Sequence, residues 1–196
     1  IRRASGFSIF NASVTNKLIF VNVIVYVFSM LALFFADENV FVNNIALTPS
    51  LIISGQKLWT LFTSMFSHLM FFHIFANMFS LFFIGNFLEK IVGRKRIFWV
   101  YIFSGLVGGI FFVLSGIIFA NDIPGVGASG AIFGLLGVLS VLVPYSKIYL
   151  IAGPLILILA QVVLSPIIPA NFAGTLNLVF NIFIFGMIFA MFSFNT

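Results

Sequence analysis

Six runs of roughly 20 apolar residues fill most of this chain, and they leave it few folds to choose from. They lie at about 18–35, 69–88, 97–120, 129–146, 148–168 and 175–194. A run of that length crosses a bilayer as a helix. The first run cannot be a signal peptide alone, because five more follow it. The sequence therefore predicts an all-α membrane protein with six spans. No Pro/Ser-rich linker interrupts it, so residues 1–196 read as a single membrane domain.

Charge placement supports the same reading. Only 7% of the 196 residues are charged, too few to cover a soluble surface, where about 25% is usual. The net charge of +5 does not point to nucleic acid. The basic residues form no patch of the kind nucleic acid needs; they sit at the ends of apolar runs. Arg2, Arg3 and Lys17 precede the first span, Lys90, Arg94, Lys95 and Arg96 separate the second from the third, and Lys147 follows the fourth. Lys57 alone falls on the opposite side. The positive-inside rule puts the eight on the cytoplasmic face, with both termini inside. There is no cysteine, which excludes disulfides, thiolate metal sites and a cysteine nucleophile.

The segment from about 36 to 68 is too polar for a span and too long for a tight loop. A loop of this length is usually functional or disordered. Its apolar pairs predict an ordered first outer loop, half sunk in the outer interface.

Topology assigns depth to the polar residues. The second, fourth and sixth spans start on the outer side. His68, His73 and Asn77 lie near the start of the second, Ser129 at the start of the fourth, and Asn177 and Asn181 near the start of the sixth. Buried polar groups are costly in a membrane, so several at one depth suggest a shared polar cavity open to the outside. His73 and Asn77 are four apart and share a helix face. Bonding to each other or to a neighbouring helix would explain them without any chemistry. His68 reads equally well as an interfacial residue with its ring among headgroups. Gly105 with Gly109, and Gly130 with Gly134 and Gly137, have the small-xxx-small spacing of closely packed spans.

That packing does not explain Ser129, which lies in "GVGASGAIFG" at 125–134. At a helix N-terminus, unpaired N–H groups and the dipole stabilise negative charge. Small neighbours leave its oxygen approachable, and His73 and Asn77 could supply donors to an oxyanion. A helix N-cap would account for the serine equally well.

Together these motifs resemble the rhomboid family of intramembrane serine proteases. Its G-x-S-G reads "GASG" at Gly127 to Gly130, and its H-x-x-x-N reads "HIFAN" at His73 to Asn77. His68 matches another position often histidine in the family, and "LEKIVGRKR" resembles the end of its second span. The resemblance implies Ser129 as nucleophile, and an oxyanion held by His73, Asn77 and the Ser129 backbone N–H. Gly127, Gly130 and Phe133 would line the site with His68. It also implies single-span membrane proteins as substrates, cut near the outer leaflet, with no metal or cofactor. The setting it implies is a prokaryotic cell membrane, with the site facing outward.

The departures are specific. The family's base is a histidine on the sixth span, in A-H-x-x-G-x-x-x-G. Anchored on Gly186, the histidine slot falls on Val179, or on Leu178 with a one-residue slip. Neither takes a proton, and Ile182 replaces the first glycine. A serine without a base is a poor nucleophile. The loop's Trp-Arg pair reads Trp59-Thr60, and Phe133 stands where tyrosine is common. The chain thus reads as a serine protease whose base has been lost. A pseudoprotease or Derlin-like binder of membrane helices is the alternative. A transporter is disfavoured, because the spans hold almost no charge and show no repeat.

Overall fold

The computed structural model describes residues 12–35 and 38–143. The chain divides into one compact unit over Ile1–Leu139 and a second over Ser140–Thr196, most of which lies outside the described residues. The expected fifth and sixth spans fall there, and with them Leu178, Val179 and Asn181.

The described part is helical. Helix α1 spans Val14–Phe35. It starts earlier than the apolar run suggested, because Ser13 caps it, its Oγ accepting the Asn16 backbone N–H at 3.1 Å. The segment expected to form the first outer loop, called the outer segment below, folds into α2 (Glu38–Ile45), α3 (Pro49–Ile53), α4 (Thr60–Thr63) and a 3₁₀ turn (Ser64–Phe66). Pro49 opens α3, where its fixed φ suits the first helical turn. Helices α5 (Phe71–Ser80) and α6 (Asn86–Val92) flank a π-turn at Leu81–Gly85, together one membrane-length helix. Gly93, at φ +87°, ends α6 and starts α7 (Arg94–Ile118). Helix α8 is Ser129–Leu142. Three of these helices, Val14–Phe35, Phe71–Val92 and Arg94–Ile118, are long and apolar enough to cross a membrane.

Their surfaces fit that solvent. Phe28, Phe34, Phe103 and Phe111 are exposed, while the fully buried positions include Leu81, Ile84, Leu88, Ile97, Tyr101 and Leu135. Some polar groups inside are paired, while Asn22 Oδ1, Thr48 Oγ1 and His68 Nδ1 are buried without a hydrogen-bond partner among the described residues. Asn22 Nδ2 on α1 donates to the Leu18 carbonyl at 2.8 Å and to the Tyr101 hydroxyl on α7 at 3.1 Å.

The glycines divide their work differently from the simple spacing rule. Gly108, not Gly109, meets Gly130 backbone to backbone, so α7 and α8 touch there. Gly134 receives the Ser104 side chain. Gly105 and Gly109 face Met65, Leu47 and Leu61, which brings the outer segment down onto α7. A side chain at Gly137 would meet nothing within 4 Å.

The outer segment is ordered, as its composition suggested. Trp59 Nε1 donates to the Asn44 carbonyl at 2.9 Å, and Lys57 Nζ donates to Asn44 Oδ1 at 2.7 Å. Lys57 also lies over the Trp59 ring, 5.1 Å from its centroid. Thr60, which follows Trp59, is buried and bonds locally, its Oγ1 donating to the Lys57 carbonyl at 2.8 Å. Ile53, Leu58, Trp59 and Phe62 stay exposed.

Candidate active site

Three clamps position the strand-like stretch that leads into Ser129. Asp122 accepts the Ser50 backbone N–H at 2.8 Å and its hydroxyl at 2.6 Å. Leu47 and Gly125 exchange two backbone hydrogen bonds, each 2.9 Å. The Gly127 N–H then donates to the Ser64 carbonyl at 2.8 Å. Each clamp joins residues 121–128 to the outer segment, so that segment fixes the approach to Ser129.

Ser129 is the first helical residue of α8 and is half-buried. Ala128, just before it, is fully buried. Among the described residues the Ser129 hydroxyl makes no hydrogen bond, so the capping role open at the level of sequence is not seen.

His73 and Asn77 occupy successive turns of α5, four residues apart. They do not bond to each other. Gly127 brings them to the Ser129 strand. A Cβ at Gly127 would lie 2.7 Å from His73 Cε1, 2.8 Å from His73 Nε2 and 3.8 Å from Asn77 Nδ2. Gly127 sits at φ +135°, a conformation few side chains tolerate. The space that a side chain there would take is bounded by an imidazole edge and a carboxamide, two residues before the serine.

His68 departs from the interfacial reading. It is fully buried, not set among headgroups. Its Nε2 lies 3.1 Å from Asn77 Nδ2 and accepts the Ala128 N–H at 3.4 Å. Its ring packs edge-on against His73, centroids 5.1 Å apart. With the Asn77 amide nitrogen and the Ala128 N–H both directed at it, Nε2 serves as acceptor in the tautomer that carries its proton on Nδ1, a buried nitrogen with no hydrogen-bond partner of its own among the described residues. A lone pair so occupied is not offered to the Ser129 hydroxyl. His68 therefore orients Asn77 and the residue before the serine.

The other expected site residues separate. Gly130 packs on Gly108. Phe133 is half-buried one turn after Ser129. The residues that sequence reasoning missed are Ser64, Leu47, Ser50 and Asp122, which hold the strand. Pro124 and Gly125, so near the serine, were the available hint that the stretch runs extended, but its partners are 60 to 80 positions away.

The described spans define a helical membrane protein in which a serine opens one helix and a histidine and an asparagine border the backbone that leads to it. A rhomboid-domain family model matches residues 55–195. The chain belongs to the rhomboid family. It is 45% identical over 92 residues to RHOMBOID-like protein 1 of Arabidopsis thaliana, covering 47% of this chain and 23% of that protein. It is 37% identical over 95 residues to the mitochondrial rhomboid protein 1 of Saccharomyces cerevisiae, covering 46% and 27%. It is 37% identical over 83 residues to Inactive RHOMBOID-like protein 8 of A. thaliana, covering 42% and 22%. Each match thus spans about a quarter of the relative's length.

Proposed function

We propose that this chain carries the machinery of a rhomboid-type intramembrane serine endopeptidase and lacks its base. Ser129 is the nucleophile for a scissile carbonyl in a membrane-spanning substrate. His73, Asn77 and the Ser129 N–H are the donors to the oxyanion. Such donors, fixed before the reaction, stabilise charge as it develops. The observation that supports this reading is the close approach at Gly127, where the His73 imidazole and the Asn77 carboxamide both come up to the backbone two residues before Ser129. The site would open away from the basic ends of the spans. The plant and mitochondrial origin of the relatives above gives a prokaryotic membrane no support.

The base position reads Leu178 or Val179, so the chain as it stands is inactive. In a soluble serine protease, loss of the histidine alone costs about 10⁶-fold in rate. The test is Val179→His, with Leu178→His beside it, assayed for cleavage of a single-span membrane protein in proteoliposomes. Cleavage gained by one of these, and abolished by adding Ser129→Ala, is expected. No cleavage from either overturns the protease reading.

A second reading rests on the same missing histidine and on likeness to a relative named inactive. On that reading the fold binds membrane helices without cutting. Client crosslinking that survives Ser129→Ala, with no cleavage in the histidine variants, favours it.

A further inference from the structure

At the opposite end of the spans, far in sequence from Ser129, lies a groove of about 410 Å³. It is lined by Asn16, Phe82, Phe83, Asn86, Phe87 and Lys90. The lining changes character along α5–α6, from phenylalanine rings at 82, 83 and 87 to amides and an ammonium at 86, 16 and 90. Those residues span about 12 Å of helix. The π-turn at Leu81–Gly85 interrupts the regular α-helix at the apolar end, and such turns are frequent at functional sites.

The polar end is wired so that its cation is not neutralised. Asn86 is spent internally: its Oδ1 accepts from Ser13 Oγ at 3.0 Å, and its Nδ2 donates to the Phe82 carbonyl at 2.8 Å and to Asn16 Oδ1 at 3.3 Å. Glu89 is the neighbouring acid, and both its oxygens are directed at the start of α1. Lys90 is exposed at the groove and makes no ion pair among the described residues. Phe82 and Phe87 are about half exposed on a helix of membrane-spanning length. Lys17, Lys95 and Arg96 add positive charge at the same end.

An apolar wall, a polar margin and an unneutralised ammonium, in that order and at membrane depth, match one occupant. We propose that this groove holds an anionic phospholipid, with its phosphate at Lys90 and an acyl chain along Phe82, Phe83 and Phe87. A basic residue at the surface contributes about 1 kcal/mol to such attraction, or about fivefold in affinity. A zwitterionic lipid carries its own compensating cation and gains less.

The test uses the full chain, purified in detergent and exposed to mixed micelles of phosphatidylglycerol or phosphatidylcholine. Retained lipid is counted by native mass spectrometry. One phosphatidylglycerol should be retained about fivefold better than phosphatidylcholine. Lys90→Gln should erase that preference, whereas Lys95→Gln, outside the groove, should leave it. Phe87→Ser tests the chain end independently and should weaken retention of both lipids. Equal retention of the two lipids by the unaltered protein overturns the proposal, as does an equal effect of the two lysine changes. Displacement of the lipid by inorganic phosphate would assign the site to free anion and overturn it too.

Discussion

The Asn77 carboxamide and the Ala128 N–H both end on Nε2 of His68, at 3.1 and 3.4 Å. One buried nitrogen therefore joins the helix carrying His73 and Asn77 to the residue just ahead of Ser129. A bond of this kind sets orientation: it fixes the Asn77 amide, whose nitrogen lies 3.8 Å from where a Gly127 Cβ would stand. His68 reaches the chemistry only through Asn77 and Ala128, which makes it a positioning residue.

His68→Ala should therefore destabilise the protein by about 1–3 kcal/mol, the cost of leaving buried donors unpaired. His68→Gln, which keeps an acceptor, should lose less. Thermal unfolding in detergent measures both. An unchanged midpoint for His68→Ala would show that the two donors find other partners.

Gly127→Ala should combine crowding with backbone strain. The added Cβ would approach His73 to 2.7 Å at φ +135°. Gly55→Ala is the control: φ is +73°, but nothing lies within 4 Å of the new atom. Gly55→Ala should cost about 1 kcal/mol, the usual left-handed penalty. Gly127→Ala should cost more and should abolish any cleavage gained by a histidine at 179. Equal midpoints for the two variants would mean that the His73 edge moves aside freely.

How far the sequence foretold this arrangement depends on the range of the interaction. The first three spans were legible because apolar length is local, and the start of α8 at Ser129 followed from where the fourth apolar run begins. The pairing of His73 with Asn77 on one face came from spacing alone. The inward turn of His68 was not legible, since a histidine ahead of a span looks alike whether it faces lipid headgroups or Asn77. The clamps at Ser50, Leu47 and Ser64 were equally hidden: they join hydroxyl and backbone groups across some 60 to 80 residues, and backbone groups carry no sequence signature. Gly108 was passed over because two adjacent glycines at 108 and 109 serve different neighbours, and spacing selects only one.

The outermost clamp should respond to acid. Hydrogen bonds from the Ser50 hydroxyl and N–H hold the Asp122 carboxyl below its ordinary range. A carboxylate with a depressed folded pKa stabilises the fold above its unfolded value, and that contribution fades as pH falls through the folded one. The effect is local, because Asp122 is exposed. Exchange of the Ser50 amide, followed by mass spectrometry and corrected for intrinsic rate, should quicken below about pH 4. In Asp122→Asn it should be fast throughout with no such step. A step that persists in Asp122→Asn would place the titrating group elsewhere.

Glu89 should prove the costliest single carboxylate to remove. It is 8% exposed and accepts the Val14 N–H at 2.9 Å, the Thr15 N–H at 2.8 Å and the Thr15 hydroxyl at 2.7 Å. The two backbone donors are among the four N–H groups that a helix start leaves without an internal partner. A negative charge there also meets the positive end of the α1 dipole. Arg94 lies 3.6 Å from its other side, too exposed to add much. Glu89→Ala would strand three donors in a buried position at about 1–3 kcal/mol for each that cannot reach water. Glu89→Gln keeps one acceptor oxygen and should retain part of the loss. Unfolding midpoints should fall in the order wild type, Gln, Ala. Thr15→Val, which deletes only the hydroxyl, should cost about 1 kcal/mol. If Glu89→Ala cost no more than Thr15→Val, the two backbone bonds would be replaced by water, and the start of α1 would be wet rather than sealed.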